Sequence, residues 1–226
     1  MQAAAVPPEM LEVFKKAQEI VSGYFAQTVG KPAEGRIEVG GDRYMMVRAD
    51  SMTMTMSKVL AEIYGERGAD QIRYKVAKAI GISEARMFHK RFKLTHPMEK
   101  LGVGPVYFSY SGWAFVELFE PSQPRPDDQY MLFYRHPHSF EAEPYLAAGI
   151  KAGRPVCQMN AGYSAGWCEE SFGIPLEARE LTCEAKGDKD CLFVMTHPSR
   201  LLGAIENLRR MLAGGKIGTH AEVLGL

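Results

Sequence analysis

Four residues in the C-terminal third have the types and spacing to hold a metal ion: Cys157, Glu180, Cys183 and Cys191. Cys183 and Cys191 flank a polar turn around Gly187 and Asp188, and a hairpin there brings the two sulfurs together. Glu180 lies three residues upstream of Cys183 and can add a carboxylate oxygen, while Cys157 directly precedes a helical segment. Three thiolates and one carboxylate close a tetrahedral shell, which suits structural zinc and leaves no position for a catalytic water. Strand parity sets a condition. Residues 180 and 183 point to opposite faces of a regular strand, so the strand must end or bulge between them. Spacing alone leaves a second reading open: three unrelated buried thiols and a surface glutamate, since the pattern is not a doubled C-x-x-C. Cys168 shares a small-residue helical face with Ser164 and Ala165 and reads as a packed core thiol.

The elements that must position these groups are legible in part. Leu11, Phe14, Val21 and Phe25 fall near a helical period within 9–27. Segments 36–39 and 43–47 read as a hairpin closed by Gly40, Gly41 and Asp42. Helices are expected at 52–66 and 69–93, the second broken at Gly81, followed by a loop around Gly102, Gly104 and Pro105. Aromatic-rich segments 113–119 and 130–135 read as paired antiparallel strands. A short helix at 140–148 and a longer one at 158–172, despite Gly162 and Gly166, precede a hairpin of 176–183 with 191–196. An amphipathic helix at 199–212 and a Gly-rich tail close the chain. The fold class is α+β: an antiparallel sheet with packed helices and a C-terminal hairpin subdomain braced by the zinc.

Bulk composition excludes several function classes. Lys plus Arg number 27, as do Asp plus Glu, so the net charge is zero. A nucleic-acid binder carries a basic excess, so no direct nucleic-acid binding is expected. No apolar run approaches the roughly 20 residues of a membrane span, and 1–8 lacks the basic start of a signal peptide. The chain reads as cytoplasmic, where cysteines serve metals or cores rather than disulfides. A G-x-x-x-x-G-K-[ST] phosphate loop is missing, as is a DNA-reading helix pair.

The run PVCQMNAGYSAGWCEESFGIPLEARELTCEAKGDKDC, 155–191, resembles the 4-vinyl reductase domain, in the form found in sensor modules of aromatic-responsive bacterial activators of the XylR and DmpR type. HSFEAE at 138–143, the Gly104–Pro105 pair and the 36–47 hairpin fit the same pattern, so the resemblance spans roughly 30–196. It implies that Cys157, Glu180, Cys183 and Cys191 hold zinc, that a pocket binds small aromatics, and that the chain forms a homodimer. It further implies a division into an N-terminal helix for dimerisation (1–30), a ligand-sensing α+β region (31–150), a zinc-binding subdomain (151–198) and an output helix with tail (199–226). Phenol-responsive members use a histidine and a tryptophan on the ligand hydroxyl. The matching positions here are Phe108 and His136, a departure that favours an apolar ring face with one hydrogen bond from His136.

Tyr107, Phe108, Tyr110, Trp113, Phe115, Phe133 and Tyr134 alternate around the central strands, so one face can line a cavity, although strand aromatics also serve ordinary cores. With the resemblance, the expected ligand-binding set is Leu101, Phe108, Tyr110, Tyr134, His136, Tyr163 and Trp167. Met52, Met54 and Met56 suit either an adaptable ligand wall or core filling. The leading reading is a zinc-containing sensor for an aromatic or hydrophobic ligand, either excised from a longer regulator or standing alone. The alternative is an enzyme or accessory factor of aromatic or tetrapyrrole metabolism, with His136, Tyr134 and Tyr163 as proton donors.

Overall fold

The computed structural model describes residues 2–226. In chain order the elements are β1 (Ala4–Ala5), α1 (Leu11–Phe25), β2 (Thr28–Lys31), β3 (Arg36–Val39), β4 (Asp42–Tyr44), α2 (Met56–Arg91), α3 (Pro97–Tyr110), β5 (Val116–Leu118) and β6 (Met131–Arg135). They continue with α4 (Glu143–Ala147), α5 (Gln158–Phe172), β7 (Glu177–Thr182), β8 (Leu192–Thr196), α6 (Leu201–Ala213) and α7 (His220–Leu224). The architecture is mixed α+β. A five-stranded sheet runs in the order β1-β5-β6-β8-β7, antiparallel except for the parallel β1–β5 edge. A separate antiparallel sheet joins β2, β3 and β4.

The large sheet is packed on both faces, and strand parity divides its residues. Leu132 and Tyr134 of β6, with Phe193 and Met195 of β8, face the main core under α2, α3 and α5. Met131, Phe133 and Val194 turn to the other side and meet Leu201 and Leu208 of α6 and Val223 of α7. Its strands come from both sides of residues 149–155, so the two expected regions share one core. The amphipathic α1 buries Phe14, Ala17, Val21 and Tyr24 in that same core.

Helices α2 and α5 cross through glycine. A Cβ on Gly81 would strike the backbone of Tyr163, on Gly162 that of Tyr74, and on Gly166 that of Lys78. The absence of side chains lets the two backbones approach, which a larger residue would prevent. Gly81 therefore does not break the helix, as local propensity suggests, but sits inside it. The actual kink is at Gly65, whose φ of 69° lies in the left-handed region that favours glycine.

Two further expectations fail for tertiary reasons. The 102–105 segment is not a loop but the middle of α3, with Pro105 inside it. Gly102 and Gly104 are small there because Val13 and the Trp167 indole press against them. The 113–119 strand is shorter than expected, only Val116–Leu118, and the tail adds the capped helix α7, which composition did not reveal.

Candidate metal centre and adjoining cavity

The β7–β8 hairpin and the start of α5 bring Cys157, Glu180, Cys183 and Cys191 together, all buried, with one ligand atom from each within 4.8 Å of the others. The bulge required by parity is present. Glu180 pairs with Phe193 but Thr182 pairs with Leu192, a register shift that turns residues 180 and 183 toward one point. The Cys157 and Cys191 sulfurs stand 3.8 Å apart. A tetrahedral ion with bonds of about 2.3 Å to sulfur sets its sulfurs about 3.8 Å apart.

The surrounding groups fix these ligands. The backbone N–H of Cys157 donates to Glu180 Oε2 at 2.8 Å, which leaves Glu180 Oε1 buried without a partner. Ser139 Oγ lies 3.2 Å from Cys157 Sγ and accepts from Asn160 Nδ2 at 2.8 Å. Glu184 N–H donates to the Cys191 sulfur at 3.4 Å. Burial raises the pKa of Cys157 and Glu180 well above their ordinary values, while hydrogen bonds from Cys157 and Cys191 favour the thiolate at Cys183. Four acidic groups crowded in a dry site resist joint ionisation, and a bound cation reverses that balance. The orphaned Oε1 and the sulfur-rich donor set fit a metal ion. Cys168 stands outside the cluster.

Just behind the cluster, Glu141 caps the N-terminus of α5. Its carboxylate accepts from Met159 N–H at 3.1 Å and Asn160 N–H at 2.7 Å, and it pairs with the buried Arg73 guanidinium. Burial raises its pKa and Arg73 opposes the shift. This network ties α2, the 139–141 turn and α5 together next to Cys157.

Farther along α5, a cavity of about 370 Å³, counted to the atom surfaces, opens between α3, α5 and the sheet. It is narrow, and little of it is wide enough to centre a water molecule. Its wall includes Leu101, Phe108, Tyr134, His136, Tyr163 and Trp167, six of the seven residues expected from the sequence. Tyr110 is not among them. It lies partly exposed on the outer side of α3, where its hydroxyl accepts from Gln18 Nε2 at 2.9 Å. The physical reason is the helical period: Leu101, Gly104, Pro105 and Phe108 share one face of α3, whereas a strand would have paired 108 with 110. Met52, Met54 and Met56 lie away from this wall.

Residues not foreseen also line it, among them Leu132, Met195, Ser164 and Cys168. Leu132 follows from parity with Tyr134, and Ser164 and Cys168 from their places beside Tyr163 and Trp167 on α5. The wall carries no charged side chain. Trp167 Nε1 donates to the Lys100 carbonyl at 2.9 Å, and the Tyr163 hydroxyl donates to Glu84. Both ring nitrogens of His136 and the Tyr134 hydroxyl are buried without partners. Burial alone lowers the His136 pKa to about 3, so its imidazole is neutral. The two sites touch through backbone: His136 N–H donates to the Cys191 carbonyl at 3.1 Å.

Residues 139–197 match the 4-vinyl reductase domain family, and residues 28–121 match the family described as activator of aromatic catabolism. The chain thus carries the two modules whose motifs its sequence displays. Among solved structures, it is similar to the phenol-responsive sensory domain of the transcription activator PoxR, determined with phenol. That likeness has a TM-score of 0.68 at 20% identity, over 80% of this chain and 89% of that one. A vinyl-4-reductase family protein from Methanocaldococcus jannaschii matches at 16% identity with a TM-score of 0.40, over 84% of this chain and 92% of that one. No curated protein matches.

Proposed function

We propose that this protein is a sensor domain for small uncharged aromatic or hydrophobic molecules, braced by one structural zinc ion and passing ligand occupancy to a partner or effector domain. The observation that carries the reading is the apolar cavity whose wall includes His136 with both nitrogens unpaired, bonded through its backbone to Cys191. A buried polar group without a partner is costly, and a ligand hydroxyl or carbonyl relieves it. The wall offers no cation, so an aromatic carboxylate entering it would lose its hydration without compensation. The likeness to a phenol-responsive domain and to activators of aromatic catabolism supports the same ligand class.

Zinc is the ion of choice for Cys157, Glu180, Cys183 and Cys191, because three thiolates and a carboxylate close a four-coordinate shell. Bound there, it holds the β7–β8 hairpin against α5 and so sets the position of His136. In this reading the chain acts in the cytoplasm as a homodimer. No helix of the described residues is long and apolar enough to cross a membrane. Helix α1 spends its apolar side on its own core, whereas Met45, Met46, Ile63 and Tyr64 are well exposed and give a second copy apolar surface to cover. Ligand binding shifts the arrangement only through differential affinity for two states, and α6, packed on the far face of β6 and β8, is the output element.

Native mass spectrometry of the full chain tests the reading. It expects one zinc per chain, a dimer, and an adduct with phenol or toluene but not with benzoate. Folded protein without metal, or without any ring adduct, overturns it. Turnover of an aromatic substrate that disappears in His136→Ala while binding persists would mark an enzyme instead.

A further inference from the structure

The polar atoms of the cavity wall sort into two groups. The Trp167 indole and the Tyr163 hydroxyl are already engaged, by the Lys100 carbonyl and the Glu84 carboxylate. Those left over sit on one strand. Tyr134 and His136 are two apart, so β6 and its extension present both to the same side. They are only 2% and 1% exposed, and neither the Tyr134 hydroxyl nor either His136 nitrogen has a partner.

Their surroundings differ. The His136 ring lies against Phe108 at 5.0 Å and Phe193 at 4.6 Å between centroids, with no polar neighbour. The Tyr134 ring stacks on Phe193 at 5.3 Å with an interplanar angle of 9°, which fixes its direction, and the polar groups nearest its hydroxyl are Ser164 and Cys168 of α5. The cavity thus has one polar point beside Phe108 and another beside α5. A hydrocarbon ring would leave both unpaired, and a ring with one hydroxyl would satisfy one of them.

Resting on the sensor reading above, we infer that the ligand is an uncharged aromatic with two hydrogen-bonding substituents, one meeting His136 and the other the Tyr134 hydroxyl. Tyr134 is then a specificity-determining residue. Neutral imidazole offers one donor and one acceptor, and a phenol does both, so hydroxyl, amino and carbonyl substituents all qualify. A fully buried group left unpaired is heavily penalised, so the second substituent carries a large share of discrimination.

Isothermal titration calorimetry of the full chain with toluene, phenol, catechol, resorcinol and hydroquinone decides it. At least one dihydroxybenzene binds about tenfold more tightly than phenol, and in Tyr134→Phe the ratio of the two affinities falls to near one. The inference is overturned if every dihydroxybenzene binds no better than phenol, or if the gain survives Tyr134→Phe. The wild-type order alone suffices to overturn it should the variant not fold. Failure of toluene, phenol and all three diols to bind sinks the sensor reading itself. Binding of phenol with no gain from any diol sinks only the two-substituent inference.

Discussion

The cysteine cluster stands at the N-terminal end of α5 and the cavity lies along its C-terminal half, yet they are assembled on opposite terms. At the cluster, four acidic groups from two chain segments converge and polar hydrogen bonds orient each one. At the cavity, apolar side chains from α3, α5, β5, β6 and β8 leave space, and the few polar groups are either satisfied elsewhere or unpaired. In the proposed reading the cluster, with its cation bound, holds the fold together. The cavity gives up packing, which costs stability, in exchange for a place to bind. The Cys191 carbonyl, accepting from His136 N–H, is where the two meet.

The comparison breaks first at the metal. Cys191→Ser, or removal of the ion by a chelator, leaves an incomplete shell of buried acidic groups. We expect a loss of at least about 4 kcal/mol in unfolding free energy, read by thermal or denaturant unfolding, with the bound metal gone from elemental analysis. An unchanged melting temperature would show that the cluster does not brace the fold.

Next comes the glycine seam that holds α5 in place for both sites. Gly166→Ala pushes a methyl group into the Lys78 backbone, and rigid backbone cannot yield as a side-chain tip can. The cost is about 3 kcal/mol, measurable by urea unfolding. Gly23→Ala, whose added carbon meets nothing within 4 Å, is the matched control and shows no such loss.

A smaller effect distinguishes the cavity by pH. Burial lowers His136 to about 3 and His89 to about 4, while an unfolded histidine titrates near about 6.5. Below that value the unfolded chain takes up protons that the folded chain refuses. Stability is therefore lost as pH falls from about 6.5 toward 4, by up to about 1.4 kcal/mol per pH unit for each histidine. His136→Phe removes its share of the slope. Carboxylates common to both proteins cancel in the difference, and equal slopes would show that His136 is not a buried neutral group.

The smallest effect tests the wall beside His136. Phe108→His places a second polar ring where the phenyl now packs 5.0 Å from His136. It should shift preference toward phenol over toluene by about fivefold, read by calorimetry. No shift would mean that position 108 does not meet the ligand.

Spacing and motif in the sequence sufficed for the metal cluster, the hairpin that carries it and α5, because those groups lie within about 35 residues and obey local periods. Even the bulge near Glu180 followed from strand parity. Tertiary structure decided what those periods do not encode. It made Gly81, Gly102 and Gly104 points of close approach rather than breaks, because another helix or a side chain presses on each. Treating 102–110 as extended chain put Tyr110 beside Phe108, whereas the helix turned Tyr110 outward and brought Leu101, Gly104 and Pro105 to the cavity instead. It also left Tyr134 without a partner next to His136. No local pattern announces an unpaired hydroxyl, since that depends on every element packed around it.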